Sequence, residues 1–172
     1  KTGKKFMTGG YSDGRMSGKW LQYSPEGWLE AEGMYEEGTK SGIWKYYNSK
    51  KQLQKEYFFV KDMVNGVCRI YENGRLTGEG EMNGLPKGPK RQGTWKQFYG
   101  NGRVESEGIY MMDKKNGKFR EYHQNGKLRA EGEYMNNKRN GNWTFYKEDG
   151  VTKDEELSGM YMMDSLKKNL SR

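Results

Sequence analysis

The stretch EGEYMNNKRNGNWTFYKEDG, Glu131 to Gly150, holds no arrangement of side chains suited to catalysis, yet variants of it return along most of the chain. EGMYEEGTKSGIWKYYNSK does so from Glu32, and EGIYMMDKKNGKFREYHQNG from Glu107. Anchored on a glycine, the copies read GKWLQY at Gly18, GIWKYY at Gly42, GVCRIY at Gly66, GTWKQF at Gly93, GKFREY at Gly117 and GNWTFY at Gly141. Their spacings are 24, 24, 27, 24 and 24 residues, a period that marks a repeat array. The longer spacing reflects one residue lost before Gly74 and four gained in GLPKGPKRQ, Gly84 to Gln92.

Each copy is a short aromatic segment, a turn and a second short segment. The turns read Asn73-Gly74, Asn101-Gly102, Asn125-Gly126 and Asp149-Gly150, dipeptides suited to the positive φ angles of a type I′ turn, so each repeat is expected to be a β-hairpin. Taking the dipeptide as the tip sets Phe119 opposite Gly132, Trp20 opposite Gly33, Trp95 opposite Gly108 and Cys68 opposite Gly80. An aromatic ring across a strand glycine covers backbone that glycine leaves bare. The same register pairs Lys45 with Glu56, Arg69 with Glu79, Lys96 with Glu107 and Arg120 with Glu131, so the glutamates read as a solvated, salt-bridging ladder rather than as catalytic acids.

The expected fold is all-β: an elongated array of antiparallel β-hairpins, about six full 24-residue repeats forming one extended twisted sheet. Residues 1–17 read as the second strand of a partial N-terminal repeat. Residues 18–161 hold six repeats starting at 18, 42, 66, 93, 117 and 141, and residues 162–172 a C-terminal cap or basic tail. The composition agrees with a thin fold. Only 32% of the 172 residues are hydrophobic and 31% are charged, while 14% are aromatic and 25 are glycine. Mean hydropathy is −1.21. Disordered chains are usually poor in aromatics, which argues for local aromatic packing instead.

The pattern E-G-x-Y, a lysine-containing turn, N-G-x-W-x-x-Y and N-G-x-L, seen here in EGEYMNNKRNGNWTFY and NGKLRAEGEY, resembles the bacterial variant of MORN-type repeats over roughly Gly9 to Tyr161. Such arrays are similar to YwqK-type antitoxins of toxin–antitoxin systems. The resemblance implies a hairpin array that acts by binding. The chain departs from the pattern at Asn48-Ser49-Lys50-Lys51, which lacks the turn glycine, at Tyr57 in place of the strand glycine, and at Cys68 in place of tryptophan.

The chemistry excludes more than it identifies. His123 and Cys68 are the only residues of their types, so a His/Cys metal cluster or a Cys-His catalytic assembly has no spare members, and no cofactor is expected. GEGEMNG from Gly78 lies in a strand and lacks the following helix that a phosphate loop needs. No apolar run approaches the roughly 18 residues needed to span a bilayer. The compartment stays open between the cytoplasm and export after removal of a leader.

The expectation is therefore a non-enzymatic scaffold that binds a protein partner through an outer aromatic row: Tyr23, Tyr47, Tyr71, Phe98, Tyr122 and Tyr146. The alternative is an anionic lipid surface met by a basic rim of inter-repeat loops: Lys87, Lys90, Arg91, Lys114, Lys115, Lys138 and Arg139. Nucleic acid ranks last, because the glutamate ladder would repel phosphate from the aromatic face, and the net charge of +8 is spread among interspersed acids and bases.

Overall fold

In a computed structural model, which describes residues 6–167, the chain is all-β with no helix among the described residues. It divides into two compact bodies, Lys1–Pro89 and Lys90–Arg172, the division falling inside the Gly84–Gln92 insertion. The first body holds β1 (Phe6–Ser12), β2 (Arg15–Tyr23), β3 (Leu29–Glu36), β4 (Thr39–Tyr47), β5 (Leu53–Val60), β6 (Met63–Glu72) and β7 (Arg75–Gly84). The second holds β8 (Lys90–Phe98), β9 (Val104–Met111), β10 (Lys114–Tyr122), β11 (Leu128–Met135), β12 (Lys138–Phe145), β13 (Gly159–Met162) and β14 (Ser165–Lys167). Within each body successive strands pair antiparallel in chain order and the sheet stays open. Residues 162–167 of the expected tail therefore continue the array as the end of β13, a turn and β14, while 168–172 lie outside the described residues.

The register agrees with the sequence pattern. Phe119 pairs with Gly132, Trp20 with Gly33, Cys68 with Gly80 and Trp95 with Gly108. The ring, however, does not rest on that partner. The rings of Trp20, Trp44, Phe119 and Trp143 lie on the glycine eleven residues earlier, in the preceding repeat: a Cβ built on Gly33 would sit 2.3 Å from Trp44 Cδ2, and one on Gly132 2.3 Å from Trp143 Cδ2. Trp20 covers Gly9 and Phe119 covers Gly108 in the same way.

The cause is the anchor glycine of each repeat. Between the pairs Glu32↔Lys45 and Met34↔Ser41, three residues of β4, Gly42, Ile43 and Trp44, stand against Gly33 alone. Gly42 takes φ +65 to make this bulge, a conformation glycine adopts without a Cβ penalty. The bulge swings Trp44 over the preceding strand, where its indole N–H donates to the Met34 carbonyl at 3.0 Å. Trp143 donates likewise to Glu133 O at 2.8 Å.

Rings from successive repeats meet edge to face along this inner surface. Trp20, Tyr35 and Trp44 follow at 5.7 and 5.2 Å between centroids, and Phe119, Tyr134 and Trp143 at 5.0 and 4.9 Å. Such pairs add about 0.5–1.5 kcal/mol each beyond area burial. Basic side chains close the file from above, with Lys40 Nζ 3.8 Å from the Trp44 ring centroid and Lys115 Nζ 4.7 Å from that of Tyr134. Burial pushes the pKa of both lysines down.

A second inter-repeat contact has no counterpart in the hydrophobic pattern. The side chains of Asp62, Asp113, Asn137 and Asp164, at the second position of tight inter-repeat turns, accept from the backbone N–H of Lys40, Arg91, Lys115 and Arg139 at 2.8, 2.9, 2.7 and 2.8 Å. The backbone N–H of each acidic or amide residue returns a bond to the carbonyl of the same basic residue. These turns have two consecutive positive φ values, as at Lys61-Asp62 and Asn136-Asn137, which among the Asn-Gly tips only Asn73-Gly74 shares.

At the tips of most repeats the expectation of a two-residue turn fails. Gly102 and Gly126 alone take positive φ, and Tyr99 N–H bonds Arg103 O across the loop, as His123 N–H does Lys127 O. Each is a three-residue loop that ends on a left-handed glycine. Lys51 fills the glycine's place at φ +61 in the second repeat. Asn73-Gly74 is the two-residue type I′ turn foreseen, with φ +50 and +77, because that repeat has lost one residue.

The mid-array substitutions compensate each other. Cys68 stands where the ring should arise and Tyr57, eleven residues before it, where the ring should land. The tyrosine supplies from below the bulk that tryptophan brings elsewhere from above, and both residues are buried, at 0% and 8% exposure. Replacing Cys68 with Trp should overpack the site and destabilise the chain by about 1–3 kcal/mol, and Tyr57→Gly alone should leave a cavity of similar or larger cost. The double variant should recover most of the loss, a coupling that urea melts of all four chains would measure.

Candidate functional site

The face opposite the ring file carries three rows of side chains. Nearest the hairpin tips lie the aromatic residues singled out above, all half-buried. Beside them runs the charge ladder. Arg69 Nε meets Glu79 at 2.6 Å and its Nη1 meets Glu56 at 3.5 Å. Arg120 meets Glu131 at 3.4 Å, Lys45 meets Glu56 at 3.8 Å and Lys96 meets Glu107 at 3.9 Å. Diagonally, Lys19 meets Glu32 at 2.8 Å and lowers its pKa, helped by the bond from Tyr47.

The tyrosines are tied into this ladder. Each hydroxyl donates to the glutamate fifteen residues earlier: Tyr47 to Glu32 at 2.7 Å, Tyr71 to Glu56 at 3.0 Å, Tyr122 to Glu107 at 2.6 Å and Tyr146 to Glu131 at 3.3 Å. Burial, then the neighbouring carboxylate, pushes the phenols of Tyr47, Tyr71 and Tyr122 up to about 12. Phe98 takes the same position without a hydroxyl, and Tyr23 instead packs against Phe6 at 6.0 Å. The row is thus a set of struts between repeats as well as a surface.

The third row, farther from the tips, differs between the bodies. In the first it is apolar and open to solvent: Met34, Ile43, Phe58 and Val67 are 47, 48, 37 and 55% exposed. Ile43 pairs directly with Phe58 across β4 and β5. In the second body the corresponding residues, Thr94, Ile109, Lys118, Glu133 and Asn142, border a shallow groove of about 730 Å³. Positions such as these alternate with the anchor residues and look like ordinary strand filler in the sequence. Their alignment becomes visible only once the bulge is known.

The structure divides the expected basic rim. Lys114 and Lys138 are exposed on the inter-repeat edge, and Lys90 is held there by Asp113 at 2.9 Å. Arg91, Lys115 and Arg139 point to the other face, over the ring file. Arg91 lies 4.1 Å from the Tyr110 centroid and Arg139 5.0 Å from that of Phe145. Adjacent residues on a strand face opposite sides, so Lys114-Lys115 and Lys138-Arg139 could not both contribute to one rim. Lys87 is exposed in the first body, between β7 and the division.

His123 is not the free turn residue that its place beside a tip suggests. Its Nε2 lies 3.1 Å from both Tyr146 O and Lys147 O of the next repeat. Cys68 is a buried thiol whose pKa burial raises, which works against nucleophilic use. Among the described residues no group of three or more His, Cys, Asp or Glu is placed to hold a metal ion, and no helix is long and apolar enough to cross a membrane.

These features define a class: an open array of antiparallel hairpins with inter-repeat contacts on both faces. Residues 16–37, 91–111 and 115–136 match the family model of the MORN repeat variant. No curated protein matches the chain. Among solved structures, a mutant of S. aureus TarM in complex with Fondaparinux, alpha-GlcNAc-glycerol and UDP aligns at 13% identity with a TM-score of 0.37, over 58% of this chain and 19% of that one. A second TarM structure aligns at 14% identity and 0.35, over 60% and 20%. The chain thus spans about a fifth of the length of these proteins.

The outer struts make an alkaline prediction. A phenol whose folded pKa is raised stabilises the fold fully below its ordinary value near 10, and that contribution is lost as pH rises through about 12. Absorbance titration at 295 nm should show Tyr47, Tyr71 and Tyr122 ionising late, together with the buried Tyr46 and Tyr134 and with loss of β-sheet circular dichroism. Glu56→Gln should bring Tyr71 partly back towards 10, since burial remains.

Proposed function

We propose that the array is a non-catalytic scaffold that binds a protein partner through its outer face, centred on the apolar row of the first body. The observation that supports this is the exposed line Met34, Ile43, Phe58 and Val67, framed by the charge ladder. An apolar centre with a polar border is the usual anatomy of a protein interface. The half-buried tyrosines beside it contribute ring faces, while their hydroxyls stay with the glutamates. The resemblance to YwqK-type antitoxins adds a finer reading, in which the partner is a toxic protein whose working surface the array covers.

Immobilised chain should capture one stoichiometric protein from a lysate of the native organism, and capture should persist at high salt. Ile43→Ser/Phe58→Ser, shown folded by circular dichroism, should lose it, with affinity falling at least about 30-fold if these residues anchor the interface at about 2 kcal/mol or more. Equal capture by the variant would overturn the reading. Toxicity of the captured protein, relieved by the array, would support the antitoxin form.

A second reading rests on the inter-repeat edge of the second body, where Met111, Met112, Met135, Met162 and Met163 are exposed beside Lys114 and Lys138. Methionines that enter a bilayer interface next to lysines that meet anionic headgroups would bind lipid. Vesicles containing phosphatidylserine should then co-float the chain, and Lys114→Glu/Lys138→Glu should abolish co-flotation. Indifference to the substitution would remove this reading.

A further inference from the structure

Asn-Gly occurs seven times in the chain, at Asn65, Asn73, Asn83, Asn101, Asn116, Asn125 and Asn140. Asparagine followed by glycine is chemically labile, because a neighbour without a side chain leaves its backbone nitrogen open to approach the asparagine carboxamide. Four of the seven lie within strands, where each following glycine is paired with a neighbouring strand: Gly66 with Met82, Gly84 with Val64, Gly117 with Tyr134 and Gly141 with Tyr161. The three at hairpin tips are all exposed, and the fold treats them differently.

At Asn101-Gly102 the glycine N–H, the prospective nucleophile, donates to Tyr99 O at 2.9 Å. The Asn101 carboxamide is held at both ends, accepting from Arg103 N at 3.0 Å and donating to Gln124 O of the next repeat at 3.2 Å. Asn125-Gly126 repeats the arrangement more tightly. Gly126 N–H bonds His123 O at 2.8 Å, and the Asn125 carboxamide accepts from Lys127 N at 2.9 Å and donates to Glu148 O at 2.8 Å. Both residues are clamps between repeats, and reaction at either requires the clamp to open first.

Asn73-Gly74 lacks the restraints that the other two tips build within the loop itself. The lost residue makes this tip a two-residue turn, in which Glu72 and Arg75 close the ladder and Gly74 lies beyond it. No carbonyl of a three-residue loop is in place to take its N–H, and within the first body no described residue bonds the Asn73 carboxamide. From this contrast we propose that Asn73 is a site of spontaneous covalent modification, converting through a cyclic imide to aspartate and isoaspartate well ahead of the other Asn-Gly sites.

The chemistry balances with water alone. Hydroxide removes the Gly74 amide proton, and the nitrogen attacks Cγ of Asn73. The new C–N bond forms as the Cγ–Nδ2 bond breaks, and ammonia departs with a proton from water. Water then opens the five-membered imide. Attack at the side-chain carbonyl gives aspartate, and attack at the backbone carbonyl gives an isoaspartyl link with one extra carbon in the main chain. Either product puts a new negative charge on the β6–β7 tip, next to the strut residue Tyr71. The isoaspartyl form also lengthens a loop whose register, Tyr71↔Leu76 and Glu72↔Arg75, depends on its having two residues.

The test is to age the whole folded chain at mildly alkaline pH, map its peptides by mass spectrometry and label isoaspartate with a carboxyl methyltransferase. Asn73 should convert at least about tenfold faster than Asn101 or Asn125, since each of those must break several hydrogen bonds to react. The same chain unfolded in urea should convert all three at similar rates, which separates the effect of the fold from that of local sequence. Asn73→Gln should remove the fast phase and leave the other sites unchanged. Native rates for Asn101 or Asn125 that equal or exceed that of Asn73 would overturn the proposal, as would an Asn73 that stays intact while the unfolded chain reacts.

Discussion

An aromatic ring lying on the bare backbone of the strand before it is the contact on which the rest of this structure depends. In each body a single sheet carries the few apolar residues, and the described residues supply no second layer to bury them. Laying the ring flat solves the problem within one layer, but only if the residue beneath is glycine and the strand above is bulged to bring the ring across. Both requirements return in every 24 residues as the strand glycine and the anchor glycine. Cys68 and Tyr57 show that the geometry asks for volume rather than for a particular residue: when the upper partner shrinks, the lower one grows.

Much of this was legible in the sequence, and the failures have specific causes. The period and the Lys/Glu complementarity were enough to set the register, because a slip of one residue would reverse every face. That a ring would land one strand earlier than its paired glycine was not legible, since the bulge depends on a backbone conformation that glycine permits without announcing it. The same holds for the tips. Asn-Gly suits a type I′ turn and also the end of a three-residue loop, and loop length decides between them. The rim mixed residues from two faces because consecutive basic residues look like one patch in a string and cannot be one on a strand. The bonds from Asp62, Asp113, Asn137 and Asp164 were invisible because their partners are backbone atoms 22 or 25 residues away.

The two bodies dress this shared framework with different residues. Both have the ring file, the tyrosine struts and the charge ladder, which are committed to holding repeats together. What varies is the outermost row, apolar in the first body and polar in the second, and the inter-repeat edge, where the second body shows methionine and lysine. Repeats leave such positions free because neither inter-repeat packing nor strand pairing constrains them. Binding specificity in an array of this kind is therefore expected to sit in the residues that match the repeat pattern least, while the most regular aromatic positions serve as struts as well as surface.

The direction of the inter-repeat contacts has a consequence for how the chain comes together. The ring, the strut tyrosine and the turn aspartate or asparagine all reach back to the repeat before them, whereas the tip loops are the elements that reach forward. A hairpin leaving the ribosome would find its glycine, its glutamate and its backbone acceptor already in place on the segment made just earlier. Growth from the N-terminal side can thus proceed one hairpin at a time as the chain is made, each new repeat reading its position from a surface that is already formed.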